Sequence, residues 1–310
     1  MKNDVSDYDL FSYDYSKYWT KRRYEDLAEK HLLNKLFKKK EGGWFIDIGG
    51  SYGRLTSTYY KKYKNPVILD YSAKTLMNNY EVLKNKYPNI NIISANAYKM
   101  PLKDNTFDGG LMVRVLHHIE NPEEYLKEVK RIMKPKATYI QEFANKIHLK
   151  ARIRGILKGD FSIFSKEKYR QPSINVSEGT GDNIEGLILN YHPDNIKDLL
   201  QDNNFIMTRK RGCSFLRIPF LKKLFNDEIL LFFEKILQST LSWTNISPSI
   251  FLETEVKKKA SKREEYHSLE EILVCPECKG RLVFHEDKAV CKKCKRDYYK
   301  KNNVWDFREL

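Results

Sequence analysis

Short apolar runs alternate with longer segments of helical periodicity along most of this chain. WFIDI (44–48), PVILD (66–70), NIISA (91–95), FDGGLMV (107–113) and ATYIQEF (137–143) read as buried strands. SAKTLMNNYEVLKNKY (72–87) and NPEEYLKEVKRIMK (121–134), the latter with Pro122 in its first turn, read as the helices between them. An N-terminal helix precedes the first strand, with Leu27, His31, Leu32 and Leu36 at helical spacing in residues 15–38. The alternation predicts an α/β, Rossmann-like fold: a mostly parallel seven-stranded sheet with helices on both faces. WFIDI is expected at a buried edge of that sheet.

The rhythm lapses after Phe143. Residues 146–186, ending in the Gly-rich SEGTGDNIEG, read as an insertion near the open end of the sheet. It resumes with a helix and strand in HPDNIKDLLQDNNFIMTRK (192–210) and a last strand in SIFLETEVK (249–257). Between these lies a strongly apolar helical segment, 219–243, read first as a lid helix packed on the protein's own core; a cap on a greasy acceptor pocket, or peripheral membrane contact through 219–241, is the alternative. The resulting division is an N-terminal helical segment 1–43, a core domain 44–256, a charged linker 257–267 and a C-terminal ribbon 268–310.

Composition adds bounds. A chain of 310 residues with 41% hydrophobic residues can bury one large α/β domain and a small appendage. No apolar run approaches the ~20 residues of a bilayer span. With no signal-peptide core in MKNDVSDYDL, the expected location is cytoplasmic. The net charge of +15 permits attraction to RNA or an anionic surface. Its most lopsided block is 146–170, with eight Lys or Arg against two acids, the candidate RNA contact.

The candidate chemistry begins where the first strand runs into IDIGGSYG. Glycines straight after a buried strand let the backbone turn sharply and approach a ligand closely. A dinucleotide fingerprint started at Gly49 needs glycines at the positions of Ser51 and Arg54, and started at Gly50 it fails at Tyr52 and Leu55. What remains is Asp47, Gly49, Gly50 and Gly53. With VILDYS and ANAYKMPLKDNTFDGGLMVRVLHHIENPEEYLKEVKRIMKP following in order, the chain resembles the class I S-adenosylmethionine-dependent methyltransferases, particularly the group that includes quinone methyltransferases of the UbiE type.

That resemblance implies S-adenosylmethionine as cofactor. Asp70, followed by Tyr71, would accept both ribose hydroxyls; Asn96, where the family usually has Asp, would face the adenine amino group, and Ala97 would offer its backbone N–H to the ring. Arg114 would lie beside the methionine part. Ser51 replaces the family's middle glycine. Transfer from a sulfonium already has a good leaving group, so alignment and water exclusion dominate and a base is needed only for some acceptors. Base candidates are Glu142, His117, His118 and His192, with Glu142 first because it ends the fifth strand on the ligand-binding side. Trp19, next to Tyr18, is read as a residue that closes over the cofactor or anchors a helix.

The tail carries CPECKGRLVFHEDKAVCKKC. Two Cys-x-x-Cys knuckles, Cys275/Cys278 and Cys291/Cys294, with twelve residues between them, predict a closed, structural four-thiolate zinc site. Between SLEEILV and RDYYKKNNVWDF, the ribbon is similar to the small zinc-binding partner subunit that activates RNA and protein methyltransferases of the translation apparatus. The resemblance implies that the ribbon packs on the methyltransferase sheet as a partner supplied in cis. Three functions therefore stand as expectations: methylation of a small molecule, quinone or lipid; methylation of tRNA, rRNA or a translation protein; and a non-catalytic cofactor-binding scaffold, the reading fed by Ser51 and Asn96.

Overall fold

A computed structural model describes residues 19–167, the backbone of 169–170, 189–259 and 264–308. Residues 1–18 of the N-terminal segment and 171–188, which include the Gly-rich end of the later insertion, lie outside the described residues. The strands run in chain order as β1 Gly42–Ile48, β2 Tyr63–Asp70, β3 Asn91–Ser94, β4 Phe107–Met112, β5 Met133–Ala144, β6 Tyr169–Arg170, β7 Leu189–Asn190, β8 Phe205–Cys213 and β9 Ser249–Val256. Four short strands of the tail follow: β10 Leu282–Phe284, β11 Lys288–Cys291, β12 Asp297–Lys301 and β13 Val304–Asp306. The helices are α1 Arg23–Leu36, α2 Thr56–Tyr59, α3 Ala73–Lys86, α4 Pro122–Ile132, α5 Leu149–Lys158, α6 Pro193–Asp202, α7 Pro219–Leu224, α8 Asp227–Thr240 and α9 Leu269–Ile272.

Seven strands make the core sheet in the order β3-β2-β1-β4-β5-β9-β8, with only β9 antiparallel to its neighbours. The expected seven-stranded, mostly parallel architecture is present. β1 does not lie at an edge; it is paired on both sides, with β2 and β4, and so explains its uninterrupted apolar run. Side chains alternate across it: Trp44, Ile46 and Ile48 enter one buried cluster and Phe45 the other. α4 and α6 fill the first face through Tyr125, Leu126, Val129, Ile196 and Leu200. α1, α3 and α8 cover the second through Tyr24, Leu32, Leu33, Leu76, Leu83 and Leu230.

The tail does not form a separate core. β13 pairs in parallel with β3, Trp305 opposite Ile93 and Asp306 opposite Ser94, so the four ribbon strands extend the core sheet to eleven. Ile272, Leu273, Tyr298, Trp305 and Phe307 join the same cluster as β1 and α4. Polar contacts fix the junction from the other side: Val274 N–H donates to Pro101 O (3.0 Å), Lys103 N–H to Ile272 O (2.9 Å), and Lys279 pairs with Glu128 at 2.7 Å. The edge of β3, otherwise a row of unpaired backbone groups, is thereby capped.

The apolar segment 219–243 is not one lid helix. It breaks after Leu224 into α7 and α8, and Asn226 caps α8 by accepting from Ile229 N–H. α8 is turned inside out relative to the expectation: it packs on the core through Leu230, Glu234 and Gln238, while Ile229, Phe232, Phe233 and Ile236 face solvent. The inward carboxylate is satisfied, because Glu234 accepts from Ser214 N–H at 2.7 Å, Phe215 N–H at 3.0 Å and Tyr24 OH at 2.5 Å.

Candidate cofactor cavity and metal centre

The loops leaving β1, β2, β3 and β4 at their C-terminal ends enclose one cavity, where an open parallel sheet binds its ligands. Its wall includes Asp47, Gly49, Gly50, Asp70, Tyr71, Asn96, Ala97, Arg114 and His118. Sequence reasoning had selected every one of these. Gly53 is not on the wall; at φ +76° it turns the chain behind it, and a Cβ there would meet Leu83 at 2.4 Å. Gly49, at φ +74°, needs the same left-handed backbone, and a Cβ would strike Val115 at 2.3 Å.

Ser51 holds the same path without being glycine. Its φ is +48°, the left-handed region that glycine adopts freely, so the loop bears the strain of a Cβ there. Ser51 N–H donates to Asp70 Oδ2 at 2.8 Å, which ties the β1 turn to the end of β2. Ser72 N–H donates to Asp70 Oδ1 at 2.9 Å. Both carboxylate oxygens are thus held in place at the end of β2. Asn96 differs from the expectation in detail: its Oδ1 accepts from Tyr98 N–H at 2.9 Å, so one lone pair is committed to the local turn.

Asp47 sits beneath the glycines, almost wholly buried, accepting from Tyr59 OH at 2.9 Å. Burial is the main cause that pushes its carboxyl up to about 7, against the lowering effect of the Tyr59 hydrogen bond and of Arg54.

The base candidates separate. His118 is on the cavity wall and His117 is not; burial and the neighbouring His118, Arg114 and Arg217 hold the His117 imidazole well below its usual range, hence neutral. His192 caps α6, its Nδ1 accepting from Asp194 N–H at 3.2 Å. Glu142 is buried off the wall: Oε2 accepts from Arg114 N–H (2.7 Å) and Oε1 from Ser249 Oγ–H (2.5 Å). Burial raises its carboxyl despite the nearby Arg114. This geometry makes Glu142 a brace for Arg114, which adopts φ +59°, and directs neither oxygen at the cavity.

One constellation was missed from sequence. Glu29 of α1, with no exposure, accepts from Arg54 Nη2 at 2.7 Å and from Arg114 Nε at 2.7 Å. Asp26 takes the other arm of Arg54 at 2.8 Å. Burial alone would raise the Glu29 carboxyl, but Arg114 and Arg54 outweigh it and hold it below the ordinary range. Trp19 lies over Arg54 at 3.6 Å and over Arg114 at 5.2 Å, roofing the cavity. The available signal was Glu25 and Glu29 standing four apart on the same stripe as Leu32, Leu33 and Leu36.

In the tail, the Sγ atoms of Cys275, Cys278, Cys291 and Cys294 all lie within 4.8 Å of one another. Tetrahedral thiolate bonds of about 2.3 Å put sulfurs about 3.8 Å apart; the Cys275–Cys294 and Cys278–Cys291 separations are 3.6 and 3.4 Å. The two knuckles have equivalent turns: Lys279 N–H donates to Cys275 O and Lys295 N–H to Cys291 O, with both lysines at positive φ. Gly280 leaves the sulfurs room, since a Cβ there would be 3.1 Å from both Cys278 and Cys291 Sγ. The donor set fits a structural zinc ion.

Comparison with known proteins agrees with this geometry. Residues 46–140 match the methyltransferase domain family and residues 267–302 the Trm112p-like protein family. An uncharacterised Methanocaldococcus jannaschii protein is 26% identical over 71% of this chain and 83% of its own length. An uncharacterised methyltransferase of Schizosaccharomyces pombe is 28% identical over 44% of this chain, which spans about half (48%) of that relative. Among solved structures, a Thermotoga maritima S-adenosylmethionine-dependent methyltransferase, a possible histamine N-methyltransferase, aligns with TM-score 0.54 and 17% identity over 81% of this chain and 98% of its own. A chain from the complex of the Haloferax volcanii Trm112 methyltransferase activator with a candidate methyltransferase aligns with TM-score 0.55 and 12% identity, over 84% of this chain and 100% of its own. These likenesses establish the fold.

Two outcomes follow from the β1 turn. Ser51→Gly relieves the left-handed strain and should stabilise the protein by about 0.5–1 kcal/mol in denaturant melts; destabilisation would show that the serine is not strained. A carboxyl whose folded value is raised above its unfolded one costs stability as pH rises between the two. The Asp47 contribution should therefore fall from about pH 4 to about pH 7 and level off above, and Asp47→Asn should flatten that part of the stability–pH curve.

Proposed function

We propose that this S-adenosylmethionine-dependent methyltransferase carries the methyl group to a small apolar acceptor, a quinone or lipid, at the cavity above β1, β2 and β4. The observation that carries the cofactor part is Asp70, whose two oxygens are aimed by Ser51 and Ser72 amides and can accept from a pair of ribose hydroxyls. Asn96 and Ala97 border the adenine end and Arg114 the methionine end. When bound, S-adenosylmethionine supplies an electrophilic methyl group on a sulfonium. The chain's own residues then orient, exclude water and, for an acceptor that must lose a proton, offer His118 as base.

The apolar acceptor is supported by the resemblance to quinone methyltransferases and by the apolar side chains that α5, α7 and α8 present. A second reading, methylation of RNA or of a translation protein, is favoured by one observation: the Trm112p-like match at residues 267–302, which here is continuous with the sheet. In the tail, we assign one structural zinc ion to the four cysteines; a four-cysteine site leaves no open position for substrate.

Calorimetric titration should give micromolar affinity for S-adenosylmethionine, and Asp70→Ala should lower it at least 100-fold in a variant that remains folded; unchanged affinity in a folded variant would overturn the site. Label from radioactive cofactor should then appear in quinone or lipid extracts, whereas label confined to RNA or ribosomal protein would favour the second reading. Metal analysis should find one zinc per chain and a loss of zinc in Cys275→Ser. Full retention in that variant would refute the four-cysteine centre.

A further inference from the structure

Of the large apolar side chains left exposed among the described residues, all but Val82 and Tyr299 fall between Leu149 and Trp243. They are organised by two helices that turn their apolar faces the wrong way for a core. In α5, Leu149, Ile153, Ile156 and Leu157 share one face at helical spacing and are 50, 51, 59 and 81% exposed, while Ala151 and Gly155 on the opposite side are buried. In α8, Ile229, Phe232, Phe233 and Ile236 face out, while Glu234 and Gln238 are buried. Trp243 follows at 72% exposed. The start of α5 is tied to the segment that follows α8: Leu149 N–H donates to Ile246 O at 2.9 Å, and Arg152 Nη2 to Asn245 O at 3.3 Å.

Charge identifies the occupant. Lys150 and Arg152 flank the apolar face of α5, and Arg154 and Lys158 lie further round; the helix has no acid. α7 itself has no acid; of the cations around it Lys222 is held by the buried Glu25 at 3.0 Å and Arg217 lies 3.9 Å from the same carboxylate, while Lys223 is exposed. The acids at the start of α8 are engaged, Glu228 with Arg23 at 2.7 Å. An outward apolar face edged by Lys and Arg suits the boundary of a bilayer, where the apolar groups enter the acyl region and the cations meet anionic headgroups. A globular core partner would not need the cations, and an RNA duplex would not need Phe232, Phe233 and Trp243.

We infer that the outward faces of α5, α7 and α8 form an interfacial surface that binds anionic lipid bilayers, seating the chain on a membrane without crossing it. None of the described helices is long and apolar enough to span a bilayer. Delivery of an acceptor from the bilayer rests on the function proposed above; the lipid contact does not.

The test is sedimentation of the full-length, zinc-loaded protein with vesicles of phosphatidylglycerol and phosphatidylcholine, compared with phosphatidylcholine alone. Partition into the anionic vesicles should be at least ten-fold stronger. It should fall at least ten-fold in the combined Ile153→Ser, Ile156→Ser, Phe232→Ser, Phe233→Ser variant, and Lys150→Glu with Lys158→Glu should remove its salt-sensitive part. Circular dichroism and S-adenosylmethionine affinity should be unchanged in both, which keeps failure of the lipid contact separate from failure of the cofactor site. The inference is overturned by any of these results: no vesicle binding, equal binding of the serine variant, a dimer in sedimentation velocity that the serine variant abolishes, or RNA retention lost in the charge variant while vesicles bind nothing.

Discussion

The buried carboxylate of Glu29 is the contact on which the cavity's shape depends. It is shared by two guanidiniums that arrive from different places, Arg54 from the turn after β1 and Arg114 from the end of β4. A charge with no exposure is tolerable only when paired, and losing one partner leaves an uncompensated charge in the interior. One helix that precedes the sheet in sequence therefore fixes the relative position of two loops that follow it. Trp19 stacks on the same guanidiniums, so the roof and the floor of the cavity share a single electrostatic anchor. Glu142 braces Arg114 from behind through its backbone, which holds the left-handed residue at the strand end.

Much of the sheet and of the cavity wall was legible because short apolar runs and glycine turns are local signals. The cysteine knuckles could be named from spacing alone, and Asp70 from the family resemblance that VILDYS carries. Ser51 shows where that stops: a serine in the glycine turn gives no local sign that it takes a left-handed backbone, which a small polar residue occupies at modest cost. Glu29 and Arg54 escaped because their meeting is set by how α1 lies on the sheet, and no local pattern encodes that angle. Glu142 was legible in place, at the end of β5, and misleading in orientation.

Orientation is also where the apolar helices defeat a reading of periodicity. The pattern in α5 and α8 gives a stripe, and a stripe is ordinarily assumed to face the core. Here Ala151 and Gly155 allow close packing on one side, and in α8 a fully hydrogen-bonded Glu234 occupies the inward position. The inward face of α8 carries a hydrogen-bonded carboxylate, which amphipathic counting treats as solvent-facing. The pairing of β13 with β3 was equally hidden, since a three-residue strand carries no register information of its own.

The parallel pairing of β13 with β3 also sets an order of events during synthesis. The β3 edge leaves the ribosome some 210 residues before its partner at Trp305 and Asp306. At typical elongation rates of 5–20 residues per second, that edge waits about 10–40 s for its covering strand. Until then the nascent sheet ends in unpaired amides beside the cavity loop at Asn96 and Ala97. The ribbon thus acts as a late fastener, and the vulnerable interval of this protein's folding is a property of where in the gene its last strand is encoded.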